Sequence, residues 1–242
     1  MRKLSIVIIG CLIAGLTFAQ NQQKIPDNKY VLIDLVVLNS GFGQSDRDAY
    51  SKDTQEIAKK YGFEKRQSFQ VAQKLAGAGP ENAMEFNLWT LPSPSAMAGL
   101  GQDAAYQANV PKRDKVHNMS ELTLYLARPK NGYASFIPKD GKFYLLDFVI
   151  MNEGNGPLQR TIYTEKTEKI AIKHGIKKVA SYDVIQHLGG LIPDVLEVNL
   201  WEMDVPEAMQ ALGSDPAYQE NIPFRDKIHN MQDLTLYMAQ AK

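Results

Sequence analysis

The feature that most constrains this chain is a stretch that occurs twice. Gly101–Tyr125 reads GQDAAYQANVPKRDKVHNMSELTLY and Gly213–Tyr237 reads GSDPAYQENIPFRDKIHNMQDLTLY, identical at 17 of 25 positions at a constant offset of 112. A repeat governs the fold before any local pattern does, because each copy must build the same supersecondary unit. Upstream the copies align at offset 113, so the second lacks one residue in the loop between its second and third strands.

The element order inside each copy follows from periodicity and turn chemistry. In the first, Tyr30–Leu38 is an apolar, β-branched run interrupted only by Asp34, which predicts a strand. Helical spacing over Asp46–Tyr61, with Asp46 as cap and Gly62 as stop, predicts a helix. Lys65–Gln73 and Ala83–Leu91 read as strands around a Gly/Pro loop at Ala76–Asn82. Ser93–Leu100 and Asp103–Asn109 read as helical, with Pro111 expected to break the second segment. Glu121–Ala127 is the last strand. The second copy gives strand Phe143–Met151, helix Thr161–His174, strands Lys178–Gln186 and Val195–Met203, helix Val205–Leu212 and its continuation, and strand Leu234–Ala239. Both copies are therefore βαββαβ, the ferredoxin-like unit. The predicted class is α+β, with two tandem ferredoxin-like repeats (residues 30–128 and 143–242) joined by a linker at 129–142. Residues 20–29 are expected to form a flexible lead.

The start of the chain predicts export. Arg2 and Lys3 precede an apolar run Leu4–Leu16, and Thr17-Phe18-Ala19 supplies small residues for cleavage before Gln20. A periplasmic or secreted location is expected, with no transmembrane segment in the mature chain, since a spanning helix needs ~20 apolar residues. Cys11 is the only cysteine and lies in that leader, so the mature chain has neither disulfides nor thiol chemistry. With 27 basic and 27 acidic residues and no basic block, nucleic acid is not an expected partner.

Strand alternation locates the candidate chemistry, because residues i and i+2 share a face. Glu85, Asn87 and Trp89 share one face of the third strand, as do Glu197, Asn199 and Trp201 in the second copy, opposite Phe86 and Leu88 or Val198 and Leu200. Asp34 and Asp147 sit in the first strands, and Tyr125 and Tyr237 in the last, opposite a leucine face. In the sheet order 4-1-3-2 Asp34 neighbours Glu85 and Asn87, and two close carboxylates can split their pKa values and do acid–base work. The competing reading is a structural network within or across the halves. Because helices need an apolar face to pack on, the polar face is expected to line the space between the two sheets or a cavity opening from it. His117 and His229, in R-D-K-[V/I]-H-N-M, are either functional (base, metal ligand or haem ligand) or fix the helix-to-strand turn. Spacing for a dedicated metal cage is absent, as is a nucleotide loop.

This organisation resembles the dimeric α/β barrel superfamily, which includes antibiotic-biosynthesis monooxygenase-like and EthD-like families, in a fused form with both halves in one chain. A local likeness to small uncharacterised relatives rests on Asp215-Pro216-Ala217-Tyr218-Gln219 with Pro223-Phe224-Arg225; the first copy departs, with Ala104 at the position of Pro216. The resemblance implies an intramolecular pseudo-dimeric barrel whose halves contact each other. Three functions remain open. One is a small-molecule-binding barrel taking a small apolar or aromatic molecule; the second is a cofactor-free monooxygenase-like or haem-binding or haem-degrading enzyme; the third is a structural or partner-binding envelope protein. The sequence identifies no ligand and no cofactor.

Overall fold

The computed structural model describes residues 22–133 and 136–242. The expected leader, residues 1–19, lies outside the described residues. In chain order the elements are β1 (Tyr30–Val37), α1 (Gln44–Lys60), β2 (Glu64–Ala76), β3 (Ala83–Leu91), α2 (Pro94–Gln102), α3 (Ala104–Val116) and β4 (Thr123–Pro129), then β5 (Phe143–Val149), α4 (Pro157–Lys173), β6 (Lys177–Gly189), β7 (Glu197–Met203), α5 (Ala208–Ser214), α6 (Pro216–Ile228) and β8 (Thr235–Ala241). Each half has the order β4-β1-β3-β2 or β8-β5-β7-β6, as the ferredoxin-like unit requires. The long second strands of the halves, β2 and β6, run past their own sheets to pair with β8 and β4, closing an eight-stranded antiparallel barrel. Closure removes every sheet edge, which a single half could not do.

The barrel interior is filled by aromatic and aliphatic side chains. Phe69 stacks on Phe86 and Tyr144, and Phe148 meets Phe86 and Tyr237, at centroid distances of 5.1 to 6.0 Å. Loops plug both ends. At one end Tyr125 Oη donates to Ile192 O and Tyr237 Oη donates to Pro80 O, so each half's last strand anchors the other half's β2–β3 or β6–β7 loop. At the other, Ile25 is fully buried in the barrel core and Phe136 packs beside it. The segment expected to be a flexible lead is therefore fixed where it is described: Gln23 N–H donates to Arg66 O at 2.8 Å.

Local expectations give way at three points. The α1 cap is Gly43, not Asp46; Asp46 stands three residues in and accepts from Gly43 N–H at 2.9 Å. Pro111 lies inside α3, and Pro223 inside α6, without ending either helix. A proline ring forfeits one hydrogen bond yet keeps a helical φ, and the far end of each helix is held independently. Asn39 Nδ2 donates to the carbonyls of Asp114, Lys115 and His117 at 3.0 to 3.1 Å, and Asn152 does the same for Asp226 and Lys227. The third point concerns the sheet faces and is taken up with the site.

Candidate functional site

Phe86, Leu88, Val198 and Leu200 point into the barrel, and Glu85, Asn87, Trp89 and their second-half counterparts point outward, under the helices. This reverses the expected assignment. The enclosed barrel offers no partners for charged groups, so it is filled by apolar ones. The helix layer can supply counter-charges, and it does: one arginine descends from the first helix of each half. Tyr125 and Tyr237 lie on the inner face, so the structure separates them from the other candidates.

In the second half Arg160 of α4 is buried and engaged on three sides. Its Nε donates to Glu197 Oε1 at 2.6 Å, its Nη2 to Asp147 Oδ2 at 3.0 Å, and its Nη1 lies 3.2 Å from His229 Nε2. Asn199 Nδ2 donates to Asp147 (3.2 Å) and Glu197 (3.0 Å), while its Oδ1 accepts from Ser181 Oγ at 2.7 Å. The first half repeats the arrangement with longer contacts. Arg47 Nη2 is 3.4 Å from Asp34 and its Nε 3.7 Å from Glu85, leaving that Nε without a hydrogen-bond partner among the described residues. Asn87 bonds Asp34, Glu85 and Ser68 as Asn199 bonds their counterparts. A reciprocal pair of lysines crosses between the halves. Lys130, just after β4, reaches Glu197 at 2.7 Å, and Lys242, just after β8, pairs with Glu85.

The two carboxylates of each network are driven apart. Burial raises Asp34 and Asp147, and the neighbouring glutamate adds to this, only partly offset by the arginine. Burial also acts on Glu85 and Glu197, but there the arginine and the crossing lysine outweigh it and hold each at about 2. The histidines are lowered, His117 to about 4 and His229 to about 3, first by burial and then by the adjacent guanidinium. Both are neutral imidazoles. Nδ1 of each faces a helix carbonyl, Arg113 O at 3.0 Å or Arg225 O at 3.1 Å, and each ring stands edge-on to a tyrosine of the first helix at 4.9 Å. With Nδ1 protonated, His229 Nε2 accepts from Arg160. The ring thus fixes the end of α6 to the network, and its lone pair is spent.

Above the second-half network lies a half-open cavity of about 110 Å³ between β5, β7, β8 and the helices. Of the candidates, Asp147, Trp201 and His229 line it, while Glu197 and Asn199 lie outside its wall. Its polar end also carries Arg160, Tyr163, Tyr218 and Arg225, and its apolar wall is leucine, isoleucine and methionine. Arg160 is committed three times. Arg225 is the less committed cation: it pairs with its chain neighbour Asp226 at 2.7 Å, its Nη1 is 3.3 Å from Tyr218 Oη, and about a quarter of its side chain is exposed. In the first half Asp34, Glu85, Asn87, Trp89 and His117 come together equivalently under α1 and α3. Sequence reasoning missed the arginines, the serines and the crossing lysines. One signal was present: Arg47…Tyr50 and Arg160…Tyr163 recur at the offset of 113, among six identities in these two helices.

No family model matches the chain, and no curated protein matches it. Solved structures of the same fold do. An anthrone oxidase-like protein is 9% identical, covers 89% of this chain and 92% of its own, and superposes with a TM-score of 0.55. Two chlorite dismutase variants from Candidatus Nitrospira defluvii, one in complex with cyanide, are 11% and 10% identical, cover 90% of this chain and 92% and 93% of their own, and superpose with a TM-score of 0.53. The fold is thus the dimeric α/β barrel, with both halves in one chain. At this identity the likeness speaks to fold alone.

Haem, raised by the superfamily resemblance, can be tested against the residues present. Pockets for cofactor-sized ligands run to ~300–1,000 Å³, whereas the cavity at His229 has about 110 Å³. Both ring nitrogens of His229 are hydrogen-bonded, leaving none for iron. The second-half site does not fit haem. Among the described residues no cluster of His, Cys, Asp and Glu could hold a metal ion, and no helix is long and apolar enough to cross a membrane.

Proposed function

We propose that this protein is an exported, small-molecule-binding α/β barrel whose binding pocket is the sheet–helix cavity of its second half. The observation that carries this reading is a contrast between the two copies. Over their 100 aligned positions they are identical at 47. Of the 16 residues that line the cavity, 15 are identical to their first-half counterparts; the exception is Ile176, where the first half has Phe63. Filling the barrel made no such demand: of the ten strand residues that the first half gives to the barrel core, four are identical in the second. A core tolerates any apolar set of suitable volume. A surface that recognises a molecule does not.

The chemistry of the wall describes the occupant. It has an apolar body, to lie on Leu145, Leu212 and Leu236, and a small acidic or hydroxyl end, to meet Arg225 and Tyr218. The enclosed part is small, about four waters' worth at ~30 Å³ each, so a larger ligand extends past Met209 and Met231, whose flexible thioethers adapt to shape. The Asp147–Arg160–Glu197–Asn199 network is the floor that orients the polar end. Export rests on the leader at residues 1–19, and a protein from the envelope fraction whose first residue is Gln20 supports it, whereas one beginning at Met1 contradicts it.

The two tryptophans, Trp89 and Trp201, make the pocket testable by fluorescence. In Trp89→Phe, Trp201 is the sole reporter. Titration with medium-chain acids is expected to change its emission saturably, and Arg225→Met to weaken binding about tenfold with an unchanged melting temperature. No saturable change with any of these, or equal binding by Arg225→Met, contradicts the reading.

A further inference from the structure

The linker of this chain shows what a second, open site should bind. After β4, Lys130 N–H donates to Ser181 O at 2.8 Å; after β8, Lys242 N–H donates to Ser68 O at 3.0 Å, so the two halves match to this point. Beyond Lys130 the linker lays Tyr133 over Lys178, with the ammonium 4.2 Å from the ring centroid. Tyr133 Oη donates to Glu168 at 2.9 Å, and Lys178 Nζ pairs with the same carboxylate at 2.9 Å. The underside of Lys178 faces Trp201, 5.6 Å from that ring. The lysine is thus sandwiched and buried, at 6% exposure.

The first-half counterparts of Lys178, Glu168 and Ser181 are Lys65, Gln55 and Ser68. These three line a groove of about 500 Å³. Lys65 has its tryptophan beneath it, Trp89 at 5.3 Å. Among the described residues no second ring covers it, and no carboxylate lies within ion-pair distance. The groove also differs in charge. It carries Lys59 and Arg66 where the second half has Ile172 and Val179, and Glu64 where the second half has Lys177, so the net difference is the missing acid at Gln55; Glu64 pairs with Arg66, and Lys59 pairs with Glu56 on the surface.

We infer that this groove binds a small aromatic carboxylate, its ring on the Lys65 ammonium as Tyr133 lies on Lys178, its carboxylate directed at Gln55. The exchange of Glu168 for Gln55 gives the direction of the hydrogen bond. A carboxylate can only accept, as Glu168 does from the phenol of Tyr133, whereas an amide also donates through its N–H and so admits an acceptor where the second half admits only a donor. The ammonium over a ring supplies the aromatic preference, and Lys65, with an amide at Gln55 in place of a carboxylate, supplies the sign. Burial lowers the pKa of Lys65, so the ammonium gains from an anion that replaces its lost hydration.

Calorimetric titration of the whole protein with benzoate, cyclohexanecarboxylate and p-cresol tests this. One benzoate is expected per chain, bound about tenfold more tightly than either comparison ligand. Lys65→Met should weaken benzoate at least about tenfold. Gln55→Glu, a change at a half-buried position to the residue found in the second half, should invert the order so that p-cresol binds best. Medium-chain acids, which fill the other pocket, should not displace benzoate, which keeps this site distinct from the one proposed above. The inference is overturned if benzoate shows no saturable binding, if cyclohexanecarboxylate binds equally well, or if Gln55→Glu leaves the order unchanged.

Discussion

Replacing Arg160 by methionine keeps most of the side-chain volume and removes the charge that holds the second-half network together. Asp147 and Glu197 are then left with one cation, Lys130, which reaches Glu197 and Asp183 but not Asp147 and is about a third exposed. Breaking a fully buried pair by removing one partner costs ~3–5 kcal/mol, because it strands the other charge. Arg160 makes contacts of 2.6, 3.0 and 3.2 Å, all buried, so its loss belongs in that range. At ~2–4 °C per kcal/mol for a chain of this size, the melting temperature should fall by roughly 6–20 °C. Arg47→Met removes looser carboxylate contacts of 3.4 and 3.7 Å, with one hydrogen bond to Ser51 Oγ on its own helix, from a guanidinium whose Nε is already unpaired, and should cost about half as much. The deficit of Arg160→Met should also shrink as pH falls. Asp147 is raised by burial and loses its main counter-charge, so protonation relieves the stranded carboxylate. Urea unfolding of both variants at pH 8 and pH 5 measures all of this. Equal losses in the two halves, or a deficit for Arg160→Met that does not narrow toward acid, would refute the reasoning.

Three further outcomes follow from the same geometry. His117 and His229 sit at about 4 and about 3 against an ordinary 6.5, so the unfolded chain takes up their protons first. Their stabilisation is complete above pH 6.5 and falls as pH drops toward 4, by about 3 kcal/mol each; His117→Gln with His229→Gln should flatten urea midpoints across that window, and an unchanged slope contradicts the assignment. Residues 30–130 expressed alone expose the β2 and β4 edges and an apolar inner face, so light scattering should find a dimer or aggregate, not a stable monomer. Lys130→Met leaves Glu197 with Arg160 alone and, because the lysine is partly exposed, should cost only about 1 kcal/mol by urea unfolding; a loss as large as that of Arg160→Met would reverse the ranking of the two cations.

The architecture was legible because the repeat forced one topology twice, and the strand order put Asp34 beside Asn87 before any coordinates did. The direction of the polar face was not. Alternation shows that Glu85, Asn87 and Trp89 share a face, but which face depends on whether a counter-charge is within reach. That counter-charge, Arg47 or Arg160, comes from a helix, which strand alternation does not register. Pro111 reads as a stop because local propensity cannot register Asn39, which holds the helix end from more than 70 residues away in sequence, as Asn152 does for the helix that contains Pro223. Ile25 read as part of a polar lead, because one apolar residue in ten gives no periodicity to detect.

Native mass spectrometry of the protein purified from its own source tests the binding role most directly, comparing the parent with Met209→Trp, which fills the mouth of the second-half cavity. The account predicts a small acidic or hydroxylated molecule retained by the parent and absent from the variant, with both melting at about the same temperature. A parent that carries no adduct after gentle desolvation, or a variant that retains the same molecule, would contradict it.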